Sequence, residues 1–495
     1  MEWEEIIKCF SDKNGMRVLE IGKAWGGIAP HLKEKNWQIT STSSLDMGQP
    51  LTGCDIIWVP ALMNQVPKEQ AFFVLDYLLA YAKEHILILL DGGHGPFPLI
   101  LADFSAYDLS FFELSAGRLL LKIYPVGEKK ISSLKPSSTI FERPLLRLLF
   151  VMPNRDLTGG LKMLFEQMKA LKEKGHYIGI LLRGDFLSPI PPWLEDFEPD
   201  VSKIIPQGEP YKKHLEGFDL IVAGFYNQLE ELAQDGAPVF YWEQGHQGLF
   251  GDLKQSRHEE KIRSYYRHQF GQGAYLGANS EYVRNIVKGR FQLDSYLLPC
   301  FIDTERWQPA LNKEKGGLPT VLLVGTPALS FKGFQKSLAV LSRCWQQGNR
   351  FQVIWICQHQ PILPALPFAI DFQIGAPQWE LPKIYQKTDV LLSCSLYEGF
   401  ALPPLEAMAA GVAVVATQSG GIGQFAVHQV NALIAFSNTV PELCQLLDLA
   451  LNDEPKRESL IKQGLLTAQD YGKSEAVDQL EGILHHVRAD FLAKG

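Results

Sequence analysis

At 495 residues the chain is longer than a single hydrophobic core usually supports, so two or three domains of roughly 100 to 200 residues each are expected. It is 46% hydrophobic and 21% charged, with 28 Phe, 16 Tyr and 10 Trp, which excludes a disordered chain. A formal net charge of -8 excludes a general attraction for nucleic acid or anionic lipid. The seven cysteines (Cys9, Cys54, Cys300, Cys344, Cys357, Cys394, Cys444) show no paired spacing, so reduced thiols are expected rather than a zinc knuckle or a redox dithiol. The acidic start MEWEEIIKCF lacks the layout of a signal peptide, and no apolar run approaches the roughly 18 to 20 residues that cross a bilayer. A cytoplasmic protein is expected, with room for peripheral contact at the inner face of the membrane.

Short apolar runs recur along the chain, each followed by a glycine-containing loop and a helical pattern: RVLEIG, CDIIWVP, HILILL, RLLFVMP, IGILLRG, FDLIVAG, TVLLVG, FQVIWIC, DVLLSC and VAVVAT. Buried parallel strands alternating with helices give this pattern, so the fold class is α/β throughout, with sites expected at the carboxyl ends of the strands. The breaks predict a unit over 1–128, a polar linker over 129–143 and units over 144–308 and 309–472. A terminal helix over 473–495 is expected to pack back on the middle unit.

The first unit opens with RVLEIGKAWGGIAPHLKEKNWQITSTSSLDM, read as strand, glycine turn, helix and strand, and closes with the apparent hairpin LSFFELSAGRLLLKIYP. It resembles a degenerate class I S-adenosylmethionine-dependent methyltransferase. Glu20, Gly22 and Gly26 match that pattern, while Ala24 stands where its middle glycine belongs. Ser41, Thr42 and Ser43 end the second strand where an acid would grip the ribose, and Asp46 is a late substitute. The resemblance therefore implies a domain that has lost its cofactor chemistry and packs or binds partners; Glu20, Gly22 and Gly26 would form the site if S-adenosylmethionine were still bound. The loop DGGHG, Asp91 to Gly95, reads as a turn.

In the second unit, RLLFVMPNRDLTGGLKMLFEQMKALKEKGH predicts a strand, a loop with Gly159 and Gly160, and an amphipathic helix closing at Gly175 and His176. The glycine pair is either a plain tight turn or a place of close approach. VFYWEQGHQGLFGD puts Glu243, Gln244 and His246 at a strand end facing a cleft. A neutral His there can hydrogen-bond a sugar hydroxyl or be a satisfied loop residue. LKQSRHEEKIRSYYRHQF, with Lys254, Arg257, Lys261, Arg263 and Arg267, is either a solvated helix face or a site for an anionic acceptor or membrane surface.

The third unit carries the sharpest signal. After the strand DVLLSC, the loop CSLYEGFAL leads into the helix PPLEAMAAG, with Pro403 and Pro404 suited to a first turn and Gly411 to the end. Glu398 then lies in the loop and Glu406 early in the helix, around a helix start able to attract phosphate, with Gly399 allowing close approach. Two carboxylates so placed can hold hydroxyls of two sugars joined by a diphosphate. Upstream, VLLVGTPALSFKGFQKSLAVL reads as strand, loop and helix, with Lys332 at the helix start just before Gly333, where an ammonium would add a point charge.

These residues resemble the retaining family 4 glycosyltransferases of the GT-B fold, whose signature is Glu, seven residues, Glu, with GF after the first and an LEAMAxG-like helix at the second. The resemblance covers about 145–470. It implies that Glu406 binds the ribose of a nucleotide sugar, that Glu398 faces the donor sugar, and that the Gly399 and Phe400 amides line the diphosphate. It likewise places Lys332, Gly325, Gly159 and Gly160 by the diphosphate and Gly420 and Gly421 near the donor. His246 would orient the donor sugar, with Glu243 and Gln244 towards the acceptor. The sequence departs from the family at Thr326, where an Arg is usual, and at Cys300 and Phe301, which replace Asn-Gly in the segment that crosses between the lobes.

The implied reaction moves a sugar from a nucleoside-diphosphate sugar to a glycan, lipid-linked or other acceptor, with anomeric configuration kept and no cofactor required. The work lies in stabilising charge on the leaving diphosphate. A hydrolytic acid–base pair is the competing use of two carboxylates, disfavoured because both flank a phosphate-type helix start rather than a sugar groove. With no Asp-x-Asp pair in the chain, a metal clamp is not indicated. The alternatives are a bifunctional methyltransferase-glycosyltransferase and a non-catalytic scaffold that binds glycan or nucleotide.

Overall fold

The computed structural model describes residues 144–494, apart from 195–196, 234–237, 251–267, 269–273, 292 and 311–315, and the backbone of six strands between 17 and 124. Those strands are β1 (Arg17–Ile21), β2 (Gln38–Thr42), β3 (Cys54–Pro60), β4 (Ala82–Leu90), β5 (Asp108–Leu114) and β6 (Arg118–Tyr124). They form one sheet in the order β2-β1-β3-β4-β6-β5. The first four pair in parallel, and β6 runs antiparallel between β4 and β5, so the expected hairpin is present. Glu20 lies on β1. Gly22, Gly26, Asp46, the DGGHG loop, the linker 129–143 and the basic residues 254–267 lie outside the described residues.

A second, fully parallel sheet contains β7 (Arg147–Met152), β8 (Tyr177–Arg183), β9 (Val201–Ile205), β10 (Leu220–Ala223), β11 (Val239–Glu243), β12 (Tyr275–Ala278) and β13 (Tyr296–Leu297). Its order is β13-β12-β11-β10-β7-β8-β9. A third holds β14 (Thr320–Val324), β15 (Gln352–Cys357), β16 (Ile370–Ile374), β17 (Val390–Ser393), β18 (Ala413–Thr417) and β19 (Leu433–Ala435) in the order β16-β15-β14-β17-β18-β19, again all parallel. Central strands such as β10 and β18 are buried at every position, which is why they read as unbroken apolar runs.

In each parallel sheet the strand order reverses once, between β7 and β10 and between β14 and β17. At such a point neighbouring loops leave the carboxyl edge towards opposite faces and open a crevice. The loops after β14 and β17 carry Lys332 and Glu398, so the topology itself brings these two distant residues together. The helices that matter for the site are α1 (Gly159–Glu173), α2 (Glu281–Phe291), α3 (Phe334–Gln346), α4 (Leu381–Gln386) and α5 (Leu402–Ala409).

The C-terminal helix α6 (Lys473–Lys494) lies against the middle unit. Lys174 at the end of α1 pairs with Asp478 at 2.5 Å and Glu481 at 2.9 Å, Arg488 with Asp219 at 2.8 Å, and the Tyr275 hydroxyl donates to Asp490 at 2.7 Å. Where the chain crosses back, the Ile302 N–H donates to the Tyr471 carbonyl at 2.8 Å. No described helix is long and apolar enough to cross a membrane.

His176 fixes this packing and gives it a pH dependence. Its Nδ1 accepts the Leu146 N–H at 3.0 Å, so the ring proton sits on Nε2, 3.1 Å from Glu481 Oε1. His176, Glu481 and His485 offer ligand atoms within 4.8 Å of one another, but a His176 ring in this tautomer has no lone pair left for a metal ion. Burial holds the His176 ring below the usual histidine range. Burial pushes the Glu481 carboxyl up, yet Lys174 and His176 outweigh it and leave it lowered. In both cases the unfolded chain binds the proton first, so stability falls as pH drops, beginning below about 6.5 for the histidine. The urea midpoint is therefore expected to decline from pH 7 to pH 5.5, and His176→Gln to flatten that decline.

Candidate active site

Glu398 is locked into the crevice of the third sheet. Its carboxylate takes both hydrogen bonds of the Lys332 ammonium, at 2.7 and 3.0 Å, and one from Ser395 Oγ at 2.7 Å. Its backbone is pinned as well: the Glu398 N–H donates to the Ser419 carbonyl at 2.7 Å, and the Glu398 carbonyl accepts from Gly421 at 3.0 Å. Lys332 ends a short turn over Ser330–Lys332, and Gly333 follows with φ of 68° as the N-cap of α3. A side chain on Gly333 would overlap the Cys394 carbonyl oxygen, so glycine is required there for conformation and for space alike.

Glu406, on the second turn of α5, is 5% exposed. Its Oε2 accepts the Tyr385 hydroxyl at 2.9 Å and its Oε1 pairs with Lys162 of α1, which comes from the other parallel unit. Trp307 meets Tyr385 edge-on at 5.0 Å and lies 5.2 Å from the Lys162 ammonium. Burial and the neighbouring Glu406 carboxylate push the Tyr385 hydroxyl well above the usual tyrosine range, so it remains a proton donor.

Helix α5 begins at Leu402, and Pro403 and Pro404 fall within its first turn. They remove two of the three leading N–H donors, which shifts the anion-binding capacity of this corner towards the loop before the helix and towards Lys332. Ala401, the cap, is held at φ of 76°, a left-handed conformation costing about 1–3 kcal/mol for a residue with a Cβ, and such strain gathers at functional loops. At the far end Gly411 takes the expected left-handed turn, with φ of 72°.

The loop after β11 faces this corner. Glu243 is 1% exposed and accepts the Tyr241 hydroxyl at 2.9 Å and the Gly245 N–H at 2.7 Å, with His246 Nε2 at 3.2 Å. Burial pushes its carboxyl up, but His246 and these hydrogen bonds outweigh it and hold Glu243 below the usual carboxylate range. The His246 ring stacks on Tyr226 at 4.8 Å. Glu243 thus lies beside His246, and its own oxygens are engaged within the loop.

Contacts between the units converge on Gly399. Its carbonyl accepts Ser280 Oγ at 2.5 Å, while Ser280 Oγ also accepts the Val283 N–H at 3.1 Å and so caps α2. The Glu281 N–H donates to Gln424 Oε1 at 3.1 Å. A Cβ on Gly245 would lie 3.1 Å from the Gly399 Cα across the units; within them, one on Gly160 would lie 3.1 Å from Gln244 Oε1 and one on Gly421 would overlap the Gly399 carbonyl. Four stacked rings also bridge the units: Phe331 on Tyr397 at 4.8 Å, Tyr397 on Phe250 at 4.6 Å and Phe250 on Tyr282 at 5.7 Å.

The structure therefore gathers Glu398, Lys332, Gly399, Gly420, Gly421, Gln244 and Gly160 in one place, with His246 beside them; Glu398 and Gly420 even form a bridge pair. Phe400 is 4% exposed and packs on Phe425 and Tyr471, so only its backbone can serve a ligand. Gly325 follows β14 with φ of 129° and takes the Trp355 indole N–H on its carbonyl at 3.0 Å. Cys300 is buried, 3.7 Å from the Asn279 carbonyl, where burial raises its thiol. Sequence reasoning did not single out Lys162, Tyr385 or Gln424.

With the geometry in hand, the chain can be compared with known proteins. Residues 368–466 match the family model "Glycosyl transferases group 1". A D-inositol 3-phosphate glycosyltransferase of Corynebacterium aurimucosum is 33% identical over 114 residues, 23% of this chain and 27% of that relative, so the alignment spans about a quarter of the relative's length. Among solved structures, sucrose-phosphate synthase from Thermosynechococcus elongatus superposes with a TM-score of 0.57 at 16% identity, covering 70% of this chain and all (100%) of that one. Anabaena HepE in complex with UDP-glucose gives 0.55 at 15% identity, covering 69% of this chain and 100% of that one. The fold of the two parallel units is that of the GT-B glycosyltransferases.

Proposed function

We propose that the chain is a retaining glycosyltransferase of family 4 that moves a sugar from a nucleoside-diphosphate sugar to a glycan or lipid-linked acceptor. The observation that carries this reading is the Lys332–Glu398 pair at the strand-order reversal of the third sheet, closed over by the His246 loop. In this reading Glu406 holds the ribose and Glu398 a hydroxyl of the donor sugar. Lys332 turns from Glu398 to the departing diphosphate as its charge grows, together with the Gly399 and Phe400 amides. His246, oriented by Glu243, contacts the donor sugar, and the leaving phosphate takes the acceptor's proton, so no separate base or nucleophile is needed. That the HepE structure contains UDP-glucose supports a nucleotide-sugar donor for this fold.

The test is release of nucleoside diphosphate from a panel of UDP-, GDP- and ADP-sugars with glycan acceptors. Glu406→Gln is expected to raise donor KM about tenfold with little change in kcat, because a ribose contact is made equally in the ground and transition states. Silence across the panel would favour the scaffold reading. For the N-terminal unit, the sheet order with an antiparallel β6 between β4 and β5 supports a methyltransferase-like domain. Calorimetric titration with S-adenosylmethionine is expected to give no heat; measurable binding would revive the bifunctional alternative.

A further inference from the structure

Glu398 and Glu406 are each matched by one lysine, but from different places. Lys332 belongs to the same unit as Glu398, whereas Lys162 reaches Glu406 from the opposite unit. Lys162 stands in the leading turns of α1, which has no acidic residue in its first turn. A cation at that end of a helix is opposed by the helix dipole. Its side chain is only 16% exposed, and its partner's 7%. Taking two charges out of water this far is costly, and a hydrophobic pair of the same size would often serve stability as well. The two helix starts also converge, since a Cβ on Gly159 would touch Leu402 Cδ1 at 3.8 Å. The Lys162–Glu406 pair thus holds an ammonium and a carboxylate largely out of water where the two units meet.

From this buried pair across the units we infer that Lys162 is a diphosphate ligand supplied by the facing unit and held by Glu406 until a nucleoside diphosphate arrives. The inference rests on the reading of Glu406 as the ribose acid. Ribose hydroxyls donate to Glu406 and take over the place of the ammonium on Oε1. The freed ammonium, with three donors, then meets the diphosphate on the same nucleoside and draws the two units together over it.

The test compares UDP with uridine, by titration calorimetry and competition, on the full chain and on Lys162→Met, which keeps the stem and removes the charge; GDP and ADP are run alongside. Lys162→Met is expected to weaken UDP binding about tenfold or more and to leave uridine binding unchanged or tighter, since its competitor for Glu406 is gone. Lys162→Arg should recover most of the UDP affinity. Equal weakening of UDP and uridine would mean that Lys162 merely positions Glu406, and unchanged UDP affinity would mean that it plays no part; either result overturns the inference while leaving the donor site standing. Wild-type protein that binds none of the three diphosphates would overturn both. A thermal melt of each variant confirms that it is folded.

Discussion

Lys332→Ala is expected to lower kcat about 100- to 1,000-fold, the usual effect of removing one preorganised group that faces developing charge. Two features argue for a loss in turnover rather than in folding. Lys332 sits on a short turn whose backbone is set by the Lys332 N–H to Leu329 carbonyl bond at 3.0 Å and by Gly333, neither of which needs the side chain. The Glu398 carboxylate would keep Ser395 and remain about 14% exposed, so water can reach it in place of the ammonium. Lys332→Arg should retain part of the rate, because charge survives while its geometry changes. Glu398→Gln should also act mainly on kcat if the carboxylate contacts the donor sugar only as the transition state forms. Single-turnover rates with a saturating donor would check both; wild-type rates for Lys332→Ala would remove the diphosphate from this corner.

Much of the fold was legible because the central strands are buried on both faces, leaving runs such as TVLLV and AVVAT that end at glycine loops. The edge strands β9 and β16 left no such trace: VSKII and IDFQI face water along much of their length, so neither an apolar run nor a clean alternation marks them. Likewise Glu398 and Lys332 could be read as partners in one site because both follow strands of a single doubly wound unit. Tyr385 and Lys162 could not, since each meets Glu406 only through side-chain packing between helices. For Lys162 one faint local signal existed: a lysine two residues after a glycine pair, at the helix end where the dipole disfavours it. The prolines misdirected the reading in the opposite sense, for they mark the start of α5 while removing the donors that make a helix start attractive to phosphate.

Gly399→Ala is expected to cost at least about 100-fold in kcat/KM while leaving most of the thermal stability intact. Gly399 is not among the glycines with positive φ, so its own backbone accepts alanine. The obstacle lies across the cleft: the new methyl would overlap the Gln244 carbonyl oxygen and lie 2.8 Å from its carbon and 3.0 Å from Asn279 Nδ2. Those atoms cannot step aside easily, because the Gln244 carbonyl itself accepts Asn279 Nδ2 at 3.1 Å and the Gly399 carbonyl is tied to Ser280. The methyl therefore acts as a wedge between the two units at their point of closest approach. A displacement of about 1 Å is enough to forfeit roughly 100-fold in a reaction that depends on alignment. Gly333→Ala offers the contrast, since its methyl would overlap Cys394 of the same unit at a left-handed position and should lower the melting temperature instead. Small-angle scattering would follow the wedge directly: Gly399→Ala should give a larger radius of gyration than the wild-type protein, with UDP present in both. A fully active Gly399→Ala protein would mean that the turnover geometry is more open than the closed arrangement of these two units.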